Sequence, residues 1–258
     1  MGHVIKGIFV CIFLLFFTMA GNVHAFITDD TGTQGKGKFE IDIDSQLDFD
    51  KETVKGVSVE STGSQVSTTL TYGFIDNADV ILNLPYTWSK VKEDGVTVHD
   101  ENGVSDTTVE IKWRFFEKEG FSLALKPGVI LPTGDDKKGL GTGSTGYHAY
   151  LIGSKEVEPW AFHVNLGYIA NENKGDEEKN IWHASLAAEY KVGKNLKLVG
   201  NIGVERNRDK TADNDPAFIL GGMKYAFSEH FEVNCGVKYG LTAAETEWSL
   251  LSGISFMF

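Results

Sequence analysis

Phe231-Glu232-Val233-Asn234-Cys235-Gly236-Val237-Lys238-Tyr239-Gly240-Leu241, followed by Trp248-Ser249-Leu250-Leu251-Ser252-Gly253-Ile254-Ser255-Phe256-Met257-Phe258, decides the fold. In the first stretch Phe231, Val233, Cys235, Val237, Tyr239 and Leu241 alternate with Glu232, Asn234, Gly236, Lys238 and Gly240. In the second, Trp248, Leu250, Ile254, Phe256 and Phe258 share one face, and Ser249, Gly253 and Ser255 share the other. A period of two is that of a β-strand, whose successive side chains point to opposite faces. One face is strongly apolar, and the other is small, polar or charged. A strand needs this pattern when one side meets lipid and the other a wet lumen.

The same rhythm runs back through the chain. Leu196, Leu198, Ile202 and Val204 alternate with Lys197, Asn201, Gly203 and Glu205. Trp182, Ala184, Leu186, Ala188 and Tyr190 oppose His183, Ser185, Ala187, Glu189 and Lys191. Trp160, Phe162, Val164, Leu166 and Tyr168 oppose Ala161, His163, Asn165 and Gly167. Val109, Ile111, Trp113 and Phe115 face away from Glu110, Lys112 and Arg114, and Phe39, Ile41, Ile43, Leu47 and Phe49 face away from Glu40, Asp42, Asp44 and Asp48. Five further segments lie near 65–74, 79–91, 121–132, 145–155 and 217–227. The last two alternate less cleanly, with Phe218 and Leu220 on the polar face.

Twelve strands are thus predicted. The connections alternate in length. Short ones fall at 75–78, 117–120, 156–159, 193–195 and 228–230, and longer ones at 51–63, 92–103, 133–144, 171–179 and 207–216, with a shorter one near 242–246. Outer-membrane barrels have an even strand number, short periplasmic turns and longer outer loops. Twelve strands therefore place both termini in the periplasm and the loop around Gly134 outside. A soluble sandwich or lipocalin-like barrel also alternates but packs its apolar face inward. Trp88, Trp113, Trp160, Trp182 and Trp248 all fall on apolar faces near strand ends, as an interfacial aromatic girdle requires. Pro85 and Pro127 interrupt predicted strands and call for a bulge or register change, since a closed barrel has no free edge.

The first 25 residues read as an address. Lys6 precedes an apolar run from Gly7 to Ala20, and Gly21-Asn22-Val23-His24-Ala25 offers a cleavage site after Ala25. Removing this segment leaves a periplasmic or lumen-filling stretch at 26–38 and a barrel over 39–258. The removed part holds one lysine and no acid, so the formal charge moves from −12 to −13. An acidic chain lacks the basic face that nucleic acid demands. Only Cys235 remains after processing, which excludes an internal disulfide and a cysteine metal cluster. No metal or other cofactor is expected.

Two stretches carry a family resemblance. Thr28-Asp29-Asp30-Thr31-Gly32-Thr33-Gln34-Gly35-Lys36-Gly37-Lys38-Phe39-Glu40 and Pro132-Thr133-Gly134-Asp135-Asp136-Lys137-Lys138-Gly139-Leu140-Gly141-Thr142-Gly143 resemble the opening and the central loop of the family named for the meta-pathway of phenol degradation. The resemblance covers essentially the whole mature chain. It implies an outer-membrane barrel that admits aromatic or other hydrophobic compounds, and it supplies no site residues. The final strand, with Ile254, Phe256 and Phe258 on one face, resembles the signal read by the outer-membrane assembly machinery.

These features predict a bacterial outer-membrane channel. Its partners would be lipid and lipopolysaccharide, the assembly machinery and a small-molecule substrate. A twelve-stranded barrel is intermediate between one that side chains fill and one that leaves an aqueous pore, so inward residues should govern passage. The inward set holds Glu40, Asp42, Asp44, Asp48, Glu110, Glu189, Glu205 and Glu232, with Lys112, Arg114, Lys126, Lys191, Lys197 and Lys238. These charges either set a transverse field across an open lumen or close it as a salt-bridge network. The segment 26–38 is either a plug or a periplasmic lead. Two other classes stand beside the channel: a closed structural or adhesive barrel, and a lipid-modifying enzyme. For the enzyme, His183 and Ser185 share a face, but sequence identifies no third group, and the reading remains non-enzymatic. The Gly134–Gly143 stretch lacks the phosphate-loop pattern, and Asp135 with Asp136 is too few oxygens for a hard cation.

Overall fold

The computed structural model describes residues 26–54 and 56–258; the expected signal peptide, 1–25, lies outside them. The alternating segments form β1 (Phe39–Val54), β2 (Val57–Ile75), β3 (Ala78–Glu93), β4 (Val96–Val104), β5 (Thr107–Lys118), β6 (Phe121–Leu131) and β7 (Gly146–Val157). They continue as β8 (Trp160–Ala170), β9 (Asn180–Val192), β10 (Leu196–Glu205), β11 (Ala217–Ser228), β12 (Phe231–Gly240) and β13 (Trp248–Met257). All pairings are antiparallel. β1 pairs with β2 on one side and with β13 on the other, so the sheet closes on itself. At the seam Phe39 N donates to Phe258 O at 3.1 Å, and Phe258 N donates to Phe39 O at 2.8 Å.

The sidedness is that of a membrane protein. On β8, Val164 and Leu166 leave 42% and 53% of their surface exposed, whereas Asn165 between them is 3% exposed. The same inversion holds where Ile111 faces out beside inward Glu110 and Lys112. A lipocalin or sandwich has the opposite arrangement. Strands of ten or eleven residues, such as β8, β10, β12 and β13, suffice to cross a bilayer when tilted. The chain is therefore an outer-membrane β-barrel.

Twelve strands make the barrel wall, and β4 is a thirteenth that pairs only with the outer part of β3, Tyr86–Glu93. The expected outer loops at 51–63 and 92–103 are thus corrected. Both are strand for most of their length and fold into hairpins beyond the barrel. Ladder pairs there include Lys51 with Glu60 and Lys90 with Asp100, whose side chains also bond at 2.6 and 2.8 Å. Beyond the bilayer no face has to meet lipid, so the hydrophobic alternation weakens while the backbone ladder continues, with Val59 and Val91 buried where these hairpins pack. The short turns fall where expected, and shrink to two residues at Asp76-Asn77, Glu119-Gly120, Glu158-Pro159 and Glu229-His230.

The prolines are accommodated without bulges. Pro85 sits where β3 leaves β5, paired over Ala78–Asn83, for β4, and its carbonyl accepts Ser105 N at 2.9 Å. At Pro127 the β5–β6 ladder is interrupted from Glu110↔Gly128 to Trp113↔Leu125 and resumes in the same register. Bulges lie elsewhere: near Phe74, Phe115 and Phe227, each beside a periplasmic turn, and near Val98 in the outer β3–β4 ladder. The first two place consecutive apolar residues, Phe74-Ile75 and Phe115-Phe116, on the outer face at the rim.

The five tryptophans are all outward and 37–47% exposed. Trp113 and Trp160 lie toward the periplasmic end, where Trp160 packs on Tyr190 at 4.7 Å. Trp182 and Trp248 lie toward the outer end, as does Trp88, opposite Asn102 of β4.

The bilayer slab makes a position-dependent prediction. Val164→Arg, mid-strand on the outer face, should destabilise the barrel in vesicles by about 2–4 kcal/mol. Val98→Arg, also exposed but on β4, should shift it by less than about 0.5 kcal/mol. Urea titrations of folding into vesicles measure both; equal effects would contradict the sidedness.

Candidate functional site

Inverting the barrel places charged side chains in its interior, where each must find a partner or remain costly. The partners are mostly there. Lys112 and Lys126 both reach Asp29 at 2.8 Å, and Lys126 also stands 3.7 Å from Glu110. His148 Nε2 lies 2.8 Å from Glu110. Glu189 is bridged by Lys224 at 2.7 Å and Lys197 at 3.2 Å, and buried Lys238 meets Glu245 at 2.8 Å. Glu205 is paired with His183 at 3.2 Å.

The acidic stripe of β1 is spread differently. Asp42 accepts from Ser255 Oγ and Asp48 from Ser249 Oγ, each at 2.5 Å, while Glu40 accepts from the Gln34 amide. Asp44 is 2% exposed. Glu232 is half-buried and lines a lumen cleft with Glu40, Asp42 and Asp44. Arg114 and Lys191 stay near the periplasmic rim, pairing with Glu117 and Glu158 at 3.2 Å each. The predicted inward set therefore does not form one site. Lys112, Lys126 and Glu110 come together, Glu189 and Lys197 form a second group, and Glu205 and Lys238 belong to separate pairs.

What joins the wall groups is the segment 26–38, which crosses the lumen. It enters beside the β2–β3 turn, where Gly37 N donates to Gly73 O at 2.7 Å and Lys36 N to Asp76 Oδ1 at 3.2 Å. A Cβ on Gly73 would stand 2.0 Å from Gly35 O, so this close crossing requires glycine. Further along, Thr31 N donates to Ser154 Oγ at 3.1 Å, and Thr28 N donates to Asn201 Oδ1 at 3.2 Å. Asn201 Nδ2 returns a bond to Thr28 Oγ1 at 2.5 Å. Phe26, the first described residue, is 5% exposed and packs with Val199, Phe218, Leu220 and Leu251. Lys224 Nζ lies 5.1 Å from the Phe26 ring centroid. This explains the imperfect alternation of β11: Phe218 and Leu220 face inward because they receive Phe26.

Two clefts flank the segment, of about 340 and 320 Å³. The first is lined by Glu40, Asp79, Lys112 and Glu232 and the second by Glu117, Glu158, Trp160 and Lys191. Asp30 and Gly32 line both. The turn residues in the second lining place that cleft at the periplasmic end.

The outer loops are ordered around carboxylates. Asp106 accepts Gly134 N at 3.0 Å and Thr142 N at 2.7 Å, folding the Gly-rich loop so that Leu140 is 3% exposed. Asp135 accepts Lys137 N, and Asp136 pairs with Lys174 at 3.3 Å, so these two carboxylates serve the loop itself. Lys210 bonds to Asp176 across two loops and holds that carboxyl below its ordinary range.

His183 has more partners than its sequence context indicates. Its Nε2 lies 3.0 Å from Ser185 Oγ and its Nδ1 3.2 Å from Glu205 Oε2. The order hydroxyl, imidazole, carboxylate is that of an acyl-transfer triad. Ser185, however, lies mid-strand, in register between Asn165 and Gly203. Ladder pairing on both sides occupies the backbone donors that an oxyanion hole would need.

Sequence reasoning missed Asp29, Lys224, Glu245 and Phe26. The Asp29-Asp30 pair in a Gly- and Thr-rich stretch was a usable signal for the first. Glu245 and Lys224 become visible only once the register is known.

The sequence model of the family described as putative MetA-pathway of phenol degradation matches residues 28–258. No curated protein matches the chain. Among solved structures, an outer membrane channel from Pseudomonas putida F1 aligns over 89% of this chain and 98% of that one, with 16% identity and a TM-score of 0.69. The KdgM porin aligns over 85% and 99%, with 12% identity and a TM-score of 0.55. The translocator domain of the autotransporter NalP from Neisseria meningitidis aligns over 88% and 91%, with 14% identity and a TM-score of 0.55. At these identities the likeness is one of fold.

Asp29 neutralises two buried lysines at once. Asp29→Ala should therefore destabilise the barrel by about 3 kcal/mol, the scale for stranding buried charges, read by urea unfolding in vesicles. A change within about 0.5 kcal/mol would show that the segment contributes nothing to the folded state. Detergent-solubilised protein should hydrolyse p-nitrophenyl esters no faster than buffer; hydrolysis lost in His183→Ala would instead establish an enzyme.

Proposed function

We propose that this chain, which belongs to the family described as putative MetA-pathway of phenol degradation, is an outer-membrane channel for small aromatic or hydrophobic compounds. Passage is by passive diffusion, and residues 26–38 narrow the lumen. The observation that carries this reading is the contact set of that segment: a removable stretch of chain crosses a closed, polar-lined barrel, with a cleft on either side. A structural barrel has no use for clefts beside a crossing segment, whereas a conduit does.

The lining supports the substrate class. Inward Val199, Phe218, Leu220 and Leu251 with Phe26 make an apolar patch inside a mainly polar lumen. Phe26 covers this patch, so the body of a small aromatic reaches it where residues 26–38 move aside. Opposed charges, Asp42 and Asp44 on β1 and Lys112 and Lys126 on β5 and β6, set a field across the same space. The P. putida F1 structure of similar fold carries the description of a channel. Export by removal of residues 1–25, recognition of β13 by the assembly machinery, and contact with lipid and lipopolysaccharide through the girdle tryptophans belong to the same reading.

Planar-bilayer conductance tests it. Wild type should show small currents, and deletion of 26–35 should raise the unitary conductance several-fold with the barrel still folded on gels. Asp29→Asn, which loosens the segment without deleting it, should give an intermediate increase. Unchanged conductance in both variants would remove the segment from the conduction path. Liposome flux should favour phenol over a sugar of similar size; equal rates would overturn the substrate class.

A further inference from the structure

Arg208 lies in the outer loop between β10 and β11, yet its side chain is buried, at 5% exposure. Its Nε, Nη1 and Nη2 all lack a hydrogen-bond partner among the described residues. A guanidinium carries five donors and stays charged at any physiological pH. Buried without an acceptor, it is a costly arrangement that persists only when something fixes it.

The surrounding backbone does fix it. Glu178 N donates to Arg208 O at 2.7 Å, Asp209 N to Asn207 Oδ1 at 2.9 Å, and Asn207 N to Asp215 Oδ1 at 2.9 Å. The neighbouring acids are held by other groups. Glu205 turns to His183, Asp215 faces Arg206 at 3.6 Å, and Glu178 Oε1 accepts Lys179 N and Asn180 N. Arg208 follows Glu205, the partner of His183, by three residues, and its carbonyl is tied to the loop between β8 and β9, so the buried guanidinium lies at the outer end of the lumen. The ring of Tyr150 lies 5.5 Å from that of His148 and 5.8 Å from that of His183. His148 Nδ1 is likewise buried without a hydrogen-bond partner among the described residues. A buried planar cation without a hydrogen-bond partner among the described residues thus stands at the outer end of a lumen whose wall carries this row of rings.

We infer that Arg208 anchors a binding subsite for a small organic carboxylate in the outer half of the lumen. A carboxylate matches the guanidinium fork with two parallel hydrogen bonds, and the rings take its apolar body. The subsite deepens the channel reading by adding an anionic class of substrate, and only its role in transport rests on that reading.

Titration calorimetry of the detergent-purified, folded barrel with sodium benzoate at fixed ionic strength tests the inference. Wild type should bind benzoate at one site and benzamide not at all, because the neutral amide lacks the charge. Arg208→Gln should weaken benzoate binding at least tenfold without lowering the unfolding temperature. Arg208→Lys, which keeps the charge but not the fork, should bind with intermediate affinity and guards against misfolding of the glutamine variant. No binding to wild type, equal binding by Arg208→Gln, or benzamide binding as well as benzoate would each overturn the subsite. Benzoate binding without current in planar bilayers would support the subsite while counting against the channel.

Discussion

Lipid offers a backbone no hydrogen-bond partners, and a sheet that crosses it must leave no edge. The β1–β13 ladder meets this constraint: ten residues of β1 pair in register with β13, from Glu40↔Met257 to Phe49↔Trp248. Closure then sets the sidedness. Residues of one parity face lipid and must be apolar, and those of the other parity face a space too narrow for free hydration of every charge. The polar parity therefore has to satisfy itself from within the barrel.

Wall strands alone do not achieve that balance. Lys112 and Lys126 are both buried and both directed at Asp29, which comes from outside the wall. The crossing segment is in this sense part of the core: it brings a carboxylate to two lysines, hydroxyls to Asn201 and Ser122, and an aromatic ring to an apolar patch. Its contacts are mainly single hydrogen bonds and one shared ion pair, a far weaker set than a strand ladder.

How much of this was legible follows the reach of the bilayer. Within the slab each strand reports its sidedness through alternation, so the barrel, the short turns and the outward tryptophans could be read residue by residue. Outside it the signal fades: Lys51–Val54, Val57–Gly63 and β4 are strands with no lipid-facing side and read as loops. Phe218 and Leu220 broke the pattern for a reason alternation cannot express, since the partner they face, Phe26, lies in another element. Glu205 meets His183 only through the β9–β10 register, and Arg208 was hidden in the connection 207–216, where alternation carries no information. Local pattern reveals which way a side chain points; which partner it meets depends on register and on segments that cross the lumen.

The central claim is that residues 26–38 occupy the lumen of the folded barrel. Cross-linking in native outer membranes tests it most directly. In a Cys235→Ser background, Thr28→Cys with Asn201→Cys should join efficiently under a short bifunctional thiol reagent, and Thr28→Cys with a cysteine at lipid-facing Ile202 should not. Equal and negligible yields for both pairs in a folded barrel would place the segment outside the lumen and contradict the account.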